Sequence, residues 1–138
     1  MSRKRGIKVP NKQTIRMQVK DKTPPNVNSL KPIFSLCHMN YGSKNCLSSC
    51  DTRLKAKFTD KILLLSQIPW EEVFSSHRKG MGKENIPKHQ FKVPLPNFVT
   101  PDIKSLMVFR LSESERMAGI QIEEIYYVLV VGDNLYDH

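Results

Sequence analysis

The C-terminal part of the chain constrains the fold most strongly, because three apolar segments follow one another there with short polar breaks between them. The segments cover residues 106–111, 116–122 and 125–131, and the breaks are residues 112–115 and 123–124. The last segment is rich in β-branched and aromatic residues and lacks Pro and Gly, which favours a buried interior strand over a helix. Three such runs with short turns predict an antiparallel three-stranded meander.

Two helices are predicted upstream of the meander. In residues 52–66 the apolar residues recur every three or four positions, so they form one stripe along a helix. This stripe consists of Leu54, Phe58, Ile62 and Leu65. Either Asp51 or Thr52 can cap the start, because a short side-chain oxygen accepts a hydrogen bond from a first-turn N–H. A shorter helix is predicted over residues 69–74, where Pro69 suits the first helical position.

The remaining segments complete the predicted fold. Residues 34–37 favour a first strand, although the spacing of nearby apolar residues also suits a helical turn. Residues 77–87 form a basic loop with two glycines, and residues 93–101 form an extended Pro-rich passage. Gly119, inside the second meander segment, indicates a β-bulge or a close backbone approach. The sequence therefore predicts an α+β fold, with two helices packed on a small antiparallel sheet that ends in a three-stranded meander.

The net charge of +9 is concentrated at the N-terminus. Residues 1–30 contain eight Lys or Arg, beginning with Arg3, Lys4 and Arg5, against one acid, Asp21. We therefore expect a basic, largely irregular arm over residues 1–30. Such an arm either contacts nucleic-acid phosphates or serves only as a solvated leader, and both interpretations stay open.

One folded domain is expected over residues 31–138. No apolar run approaches the ~20 residues that a membrane-spanning helix needs. The basic N-terminus is not followed by the apolar stretch of a secretory signal. A cytoplasmic protein without a membrane partner is therefore expected.

The cysteines form an odd set of three in a chain without a secretory signal, which favours free thiols. Together with His38, the thiols of Cys37, Cys46 and Cys50 are donors of the kind that zinc uses. Their spacing, however, lacks the paired C-x2-C arrangement of most structural zinc sites. Buried structural thiols are the preferred interpretation, with a zinc site as the alternative, and no cofactor is expected.

Several polar side chains are candidates for phosphate binding or proton transfer. The basic loop, with Arg78 and Lys79, could bind a phosphate through its backbone N–H groups and cations. Arg110 and Arg116 stand within or beside apolar strands, so each needs either a cross-strand acid, such as Glu113 or Glu115, or an anionic ligand.

Tyr136 and His138 end the sequence and could supply acid–base chemistry, since an imidazole titrates near neutral pH. For every candidate taken singly, an ordinary surface or packing role is at least as common.

The predicted order of elements is a strand, two helices, a basic loop and a meander. Together with short motifs at residues 80–88, 109–116 and 136–138, this order resembles the RelE/ParE superfamily of small bacterial toxins. The similarity is greatest to the YoeB-like branch of mRNA interferases and covers residues 31–138. Residues 80–88 resemble that branch's Gly-, Lys- and Pro-rich loop with a catalytic Glu. Residues 109–116 resemble the hairpin whose second strand begins with a catalytic Arg, and residues 136–138 resemble its aromatic and His ending.

The resemblance implies cleavage of mRNA on the ribosome without a metal, by attack of the RNA 2′-OH on the adjacent phosphate. Glu84 would act as general base, Arg116 would stabilise the phosphate, and His138 would protonate the leaving 5′-oxygen. Tyr136 would stack on or orient the substrate. These roles supply the base, the acid and the fixed positive charge that phosphoryl transfer requires.

The same resemblance implies that Arg110 and Lys83 hold the RNA backbone. It also implies three partners: mRNA, the ribosome and a cognate antitoxin protein. Two alternatives remain. The chain could be a non-enzymatic binder on a ParE-like scaffold, as that branch binds DNA gyrase. It could also be a small phage or mobile-element protein that binds nucleic acid through its basic arm.

Overall fold

The computed structural model describes residues 26–75 and 83–137, and these form a mixed sheet with two helices. The five strands of the sheet are β1 (Ile33–Ser35), β2 (Glu84–Pro87), β3 (Ser105–Arg110), β4 (Glu115–Ile122) and β5 (Ile125–Asp133). They lie in the order β1-β5-β4-β3-β2. Strands β2 to β5 pair antiparallel in succession, whereas β1 pairs parallel with β5. The predicted α+β class is confirmed, but the expectation of a small, purely antiparallel sheet is wrong.

The position of β5 in the sheet explains why its sequence is apolar. It lies between β1 and β4, so both of its edges are hydrogen-bonded. Tyr126 and the run from Val128 to Val131 are all at most 3% exposed. A strand covered on both faces shows no alternation of polar and apolar residues, and this agrees with the prediction of a buried interior strand.

The two helices are α1 (Thr52–Leu65) and α2 (Trp70–Ser75), close to their predicted positions. The Asp51 side chain accepts a hydrogen bond from the Leu54 N–H at 2.8 Å and therefore caps α1. Trp70 is fully buried, and its indole N–H donates to the Glu124 carbonyl at 3.1 Å. This bond joins the start of α2 to the turn between β4 and β5.

The two faces of the sheet carry separate cores. The helix-side core joins buried residues of both helices to one face of β3, β4 and β5. Its members are Leu54, Phe58, Leu65, Trp70, Val73, Phe109, Leu111, Met117, Tyr126, Val128 and Val131. The loop-side core lies on the opposite face, where residues 91–103 cover it. Its buried members are Ile86, Leu106, Val108, Ala118, Ile120, Leu129, Val130, Leu135 and Tyr136.

A bulge interrupts the pairing of β4 and β5 at Gly119, as its presence in the strand predicted. The register shifts between Ala118 and Gly119. A Cβ atom at Gly119 would lie 2.0 Å from the Tyr127 carbonyl oxygen. Only glycine permits this close approach of the two strands. The shift also places consecutive residues Leu129 and Val130 in the same loop-side core.

Two boundaries differ from the sequence prediction. Residues 84–87 belong to β2 and pair with β3, although the sequence predicted a loop there. The short 3-10 helix Val27–Ser29 lies at the end of the predicted arm, and the next residue, Leu30, accepts a hydrogen bond from the Trp70 N–H at 2.9 Å. The rest of the arm and most of the basic loop lie outside the described residues. Among the residues described, no helix has the length and apolarity to cross a membrane.

Candidate functional site

The register of the sheet brings Glu84, Arg110 and Arg116 to one end of one face. Glu84 is paired with Val108, which belongs to the loop-side core, so Glu84 shares that face. Arg110 follows Val108 by two residues and therefore lies on the same side. Arg110 in turn is the cross-strand partner of Arg116. Three of the predicted site residues are thus neighbours on adjacent strands.

Backbone hydrogen bonds hold the C-terminal residues beside this group. The Lys92 N–H donates to the Leu135 carbonyl at 2.8 Å, and the Asp137 N–H donates to the Gln90 carbonyl at 2.9 Å. Between these bonds, Tyr136 forms an antiparallel bridge with Phe91, and their ring centroids are 5.3 Å apart. Tyr136 is 8% exposed and belongs to the loop-side core, on the face that also carries the three charged residues.

The Tyr136 hydroxyl lies within the electrostatic reach of all three charged residues. Burial is the main cause that raises the pKa of Tyr136, and the charge of Glu84 adds to it. A hydrogen bond and the positive charge of Arg116, together with the charge of Arg110, act in the opposite direction on this pKa. The Tyr136 hydroxyl is itself buried, so its part in this group is to hold the Arg116 side chain at this end of the face.

An open cleft of about 410 Å³ lies at this end of the sheet. We call it the Arg116 cleft, and it is lined by Glu113, Ser114, Arg116, Asp133, Asn134 and Tyr136. It combines a guanidinium, two carboxylates, a phenol, an amide and a hydroxyl. Such a set can bind a phosphate ester and exchange protons with it.

The sequence indicated only part of this cleft. Nothing in the sequence marks Asp133 and Asn134 as site residues. Their position in the sheet brings them to the cleft, because Asp133 pairs with Glu115 and Gly132 pairs with Arg116. Only the strand register reveals that this turn lies beside the charged hairpin.

Arg116 has a different set of partners from those predicted. Its Nη1 atom donates to the carbonyl oxygens of Ser112 at 2.8 Å, Glu115 at 3.1 Å and Glu113 at 3.2 Å. The Glu115 carboxylate instead binds Arg53 on α1 at 2.7 Å. The guanidinium is therefore oriented by turn carbonyls, and the Glu115 carboxylate, one of the acids considered as a partner, binds a different arginine.

Several predicted site residues do not join this group. Lys83 lies against α2, with its Nζ 5.1 Å from the centroid of the Phe74 ring. Others fall outside the described residues, so their predicted roles remain predictions. These are Arg3, Lys4, Arg5, Arg78, Lys79 and His138.

The candidate zinc ligands occupy different environments. Cys46 is 3% exposed and Cys50 is half-buried, as expected for structural thiols. Cys37 is exposed, so the prediction of burial is wrong for this thiol. His38 stacks on Phe98 with a centroid distance of 3.9 Å. Across residues 26–75 and 83–137, no three or more His, Cys, Asp or Glu side chains are grouped to hold a metal.

The chain was compared with known proteins at three levels. No protein-family model matches it, and neither does any curated protein sequence or solved structure.

Proposed function

We propose that this protein is a metal-independent endoribonuclease that cleaves mRNA on the ribosome, the toxin of a toxin–antitoxin pair. The observation that carries the proposal is the grouping of Glu84, Arg110, Arg116 and Tyr136 at one end of the loop-side face. These residues come from four separate segments of the chain. The resemblance to YoeB-like interferases assigns the same residues to RNA binding and cleavage.

The proposed reaction forms one bond and breaks one at the scissile phosphorus. Glu84 removes the proton of the ribose 2′-OH, whose oxygen attacks the phosphorus. The bond to the 5′-oxygen then breaks and leaves a 2′,3′-cyclic phosphate. Arg116 stabilises the negative charge that develops on the phosphate oxygens, and Tyr136 orients the Arg116 guanidinium from its buried position. His138, assigned by the resemblance, protonates the departing 5′-oxygen.

The energetics of the paired arginines support an anionic ligand. Arg110 and Arg116 are direct cross-strand partners, and like charges opposite each other destabilise a sheet. The turn carbonyls offset part of this repulsion at Arg116. A phosphate bound between the two guanidinium groups would relieve the remainder, because each group can form charge-assisted hydrogen bonds to it.

The first experiment is mRNA cleavage in a cell-free translation reaction, mapped by primer extension. We expect discrete cuts within translated codons for the wild type. Glu84→Gln should reduce cleavage by about 10²–10⁴-fold, the usual contribution of a positioned base. Glu84 is exposed, so this substitution should leave the fold unchanged. Arg116→Ala should reduce cleavage as well, with thermal unfolding measured because its bonds to the turn are also lost.

Arg53→Ala is the matched control for Arg116→Ala. It removes an arginine that also contacts the β3–β4 hairpin, but from the helix side, where Arg53 binds Glu115. Its cleavage should remain at the wild-type level. If the wild type inhibits translation without any cut, or if Glu84→Gln cuts as well as the wild type, the ribonuclease assignment is wrong. Inhibition without cleavage would favour a non-enzymatic binder.

A further inference from the structure

The Arg116 cleft continues into a longer groove on the loop-side face. The adjoining depression, of about 270 Å³, lies over Leu129 and Val130 and is lined by Lys44 and Lys92. Lys92 joins it to the Arg116 cleft, because its Nζ donates to Oδ1 of Asn134 at 2.9 Å, and Asn134 lines that cleft. The two depressions are therefore neighbours on one surface.

A third depression, of about 420 Å³, extends the groove toward the start of β5. It shares Asn40 and Pro96 with the middle depression, and its walls also include His38, Asn97 and Phe98. We call the three together the loop-side groove. From β5, Leu129 and Val130 line its middle part and Asp133 lines the Arg116 cleft, while Tyr127 lies beside the rings at its far end.

The far end of the groove is an aromatic stack. The His38 and Phe98 rings are nearly parallel, with an interplanar angle of 10° and centroids 3.9 Å apart. Tyr127 supports both rings from β5, at 5.0 Å from Phe98 and 5.3 Å from His38. His38 is exposed, so this member of the stack can be reached from solvent at the groove.

We propose that the loop-side groove binds the single-stranded RNA that flanks the cleavage point, with one base stacked on His38. This inference rests on the proposed function, since the same strand enters the Arg116 cleft. Aromatic rings accept any base, because every base has a π face. The amides of Asn40 and Asn97 can hydrogen-bond the edge of the stacked base.

The charge and continuity of the groove favour RNA over a peptide. Lys44 and Lys92 line its middle part, where the backbone phosphates between the two ends would pass, and the Nζ of Lys92 also lies 3.3 Å from the Asp137 carboxylate. A strand bound in this way would connect the phosphate in the Arg116 cleft to the base on His38. Binding of an extended peptide would not require both lysines along the groove and an aromatic stack at its end.

The test is fluorescence anisotropy with two labelled RNA probes that contain 2′-O-methyl riboses, so that the 2′-oxygen cannot attack. One probe has about three nucleotides and fills only the cleft, and the other has about twelve and spans the groove. His38→Ala should weaken binding of the longer probe roughly fivefold or more, the usual effect of losing one stacked base. Binding of the shorter probe should not change, and His38→Phe should retain binding of the longer probe.

One matched control and Arg116→Ala complete the design. His89→Ala removes an exposed histidine outside the groove and should bind both probes as the wild type does. The groove proposal is overturned if His38→Ala binds the longer probe as well as the wild type, or if His38→Phe binds as weakly as His38→Ala. If Arg116→Ala binds both probes normally while His38→Ala does not, the groove stands and the proposed function fails.

Discussion

Gly119 is a position where the backbones of β4 and β5 approach each other too closely for a side chain. The Tyr127 carbonyl oxygen occupies the space in which a Cβ atom would lie, and the Tyr126 ring is also within 3.0 Å of that point. The neighbour that would have to move is backbone, not the end of a flexible side chain. The packing of the β4–β5 pair therefore depends on the absence of a side chain at this residue.

We expect Gly119→Ala to lower the free energy of unfolding by about 3 kcal/mol, since the methyl group would overpack the sheet at its centre. Urea denaturation followed by circular dichroism measures the change. Gly42→Asn is the control, because Gly42 has a φ of +85° and no neighbour within 4 Å of its added Cβ. Asn tolerates this backbone region, so the control should cost less than about 1 kcal/mol. Equal stability of the two variants would contradict the assigned strand contact.

At the residue scale, the sequence identified conspicuous side chains but not their partners. Arg116 stands out because a charge beside an apolar strand needs a reason, and Gly119 stands out for its position inside a strand. The turn carbonyls that bind Arg116 have no signature in the sequence, since every residue has a carbonyl. The sequence indicates His38 only as a possible metal ligand, because its stacking partner Phe98 is sixty positions away in the chain.

Helix α1 is the element that local sequence determines best. Its apolar stripe predicted the buried face, and the structure resolves which residue caps it. The cap is Asp51, which accepts a hydrogen bond from the Leu54 N–H, while Thr52 is the first helical residue. Local signals suffice here because both the stripe and the cap act within a few residues.

Asp51→Ala should lower the free energy of unfolding by about 1 kcal/mol, because it leaves a first-turn N–H without its acceptor. Thr52→Ala should change it by less than about 0.5 kcal/mol, as expected for an exposed position without a capping role. Thermal denaturation of the two variants, compared with the wild type, gives both values. A larger loss for Thr52→Ala would mean that the cap is misassigned.

Strands β1 and β2 show where local patterns stop being informative. Strand β2 (Glu84–Pro87) has four residues, ends in proline and follows a glycine-containing segment, so its sequence resembles a loop. Strand β1 (Ile33–Ser35) has three residues and pairs with β5, about ninety positions further along the chain. Both are strands because a neighbour completes their hydrogen bonds. The convergence of Glu84 with Arg110 depends on that same pairing.

Most of the net charge of the molecule lies in its first 25 residues. Residues 1–25 hold all eight cations of the predicted arm and only Asp21 as an acid, so they carry +7 of the total +9. The candidate catalytic residues all lie in the remaining part, whose net charge is close to neutral. Under the proposed function, general attraction to RNA would belong to residues 1–25 and positioning for cleavage to the rest of the chain.

Removal of residues 1–25 should therefore weaken RNA binding and leave the positions of cleavage unchanged. The dependence of the binding constant on salt should also become shallower, because fewer phosphates are neutralised. Anisotropy titrations at several salt concentrations, with primer extension on the same samples, measure both effects. An altered set of cuts, or an unchanged salt dependence, would show that this division of roles is wrong.

The parallel pairing of β1 with β5 also sets the order in which the protein can be completed during its synthesis. The ribosome produces residues 33–35 early and their partners at 125–127 about ninety residues later. Until then, the stripe of α1 has no β5 to cover it, and the residues of the cleft are not yet assembled. Synthesis at about 5–20 residues per second makes this interval several seconds long. A nascent chain would spend that time incompletely folded, and the candidate site would form only once β5 has been synthesised.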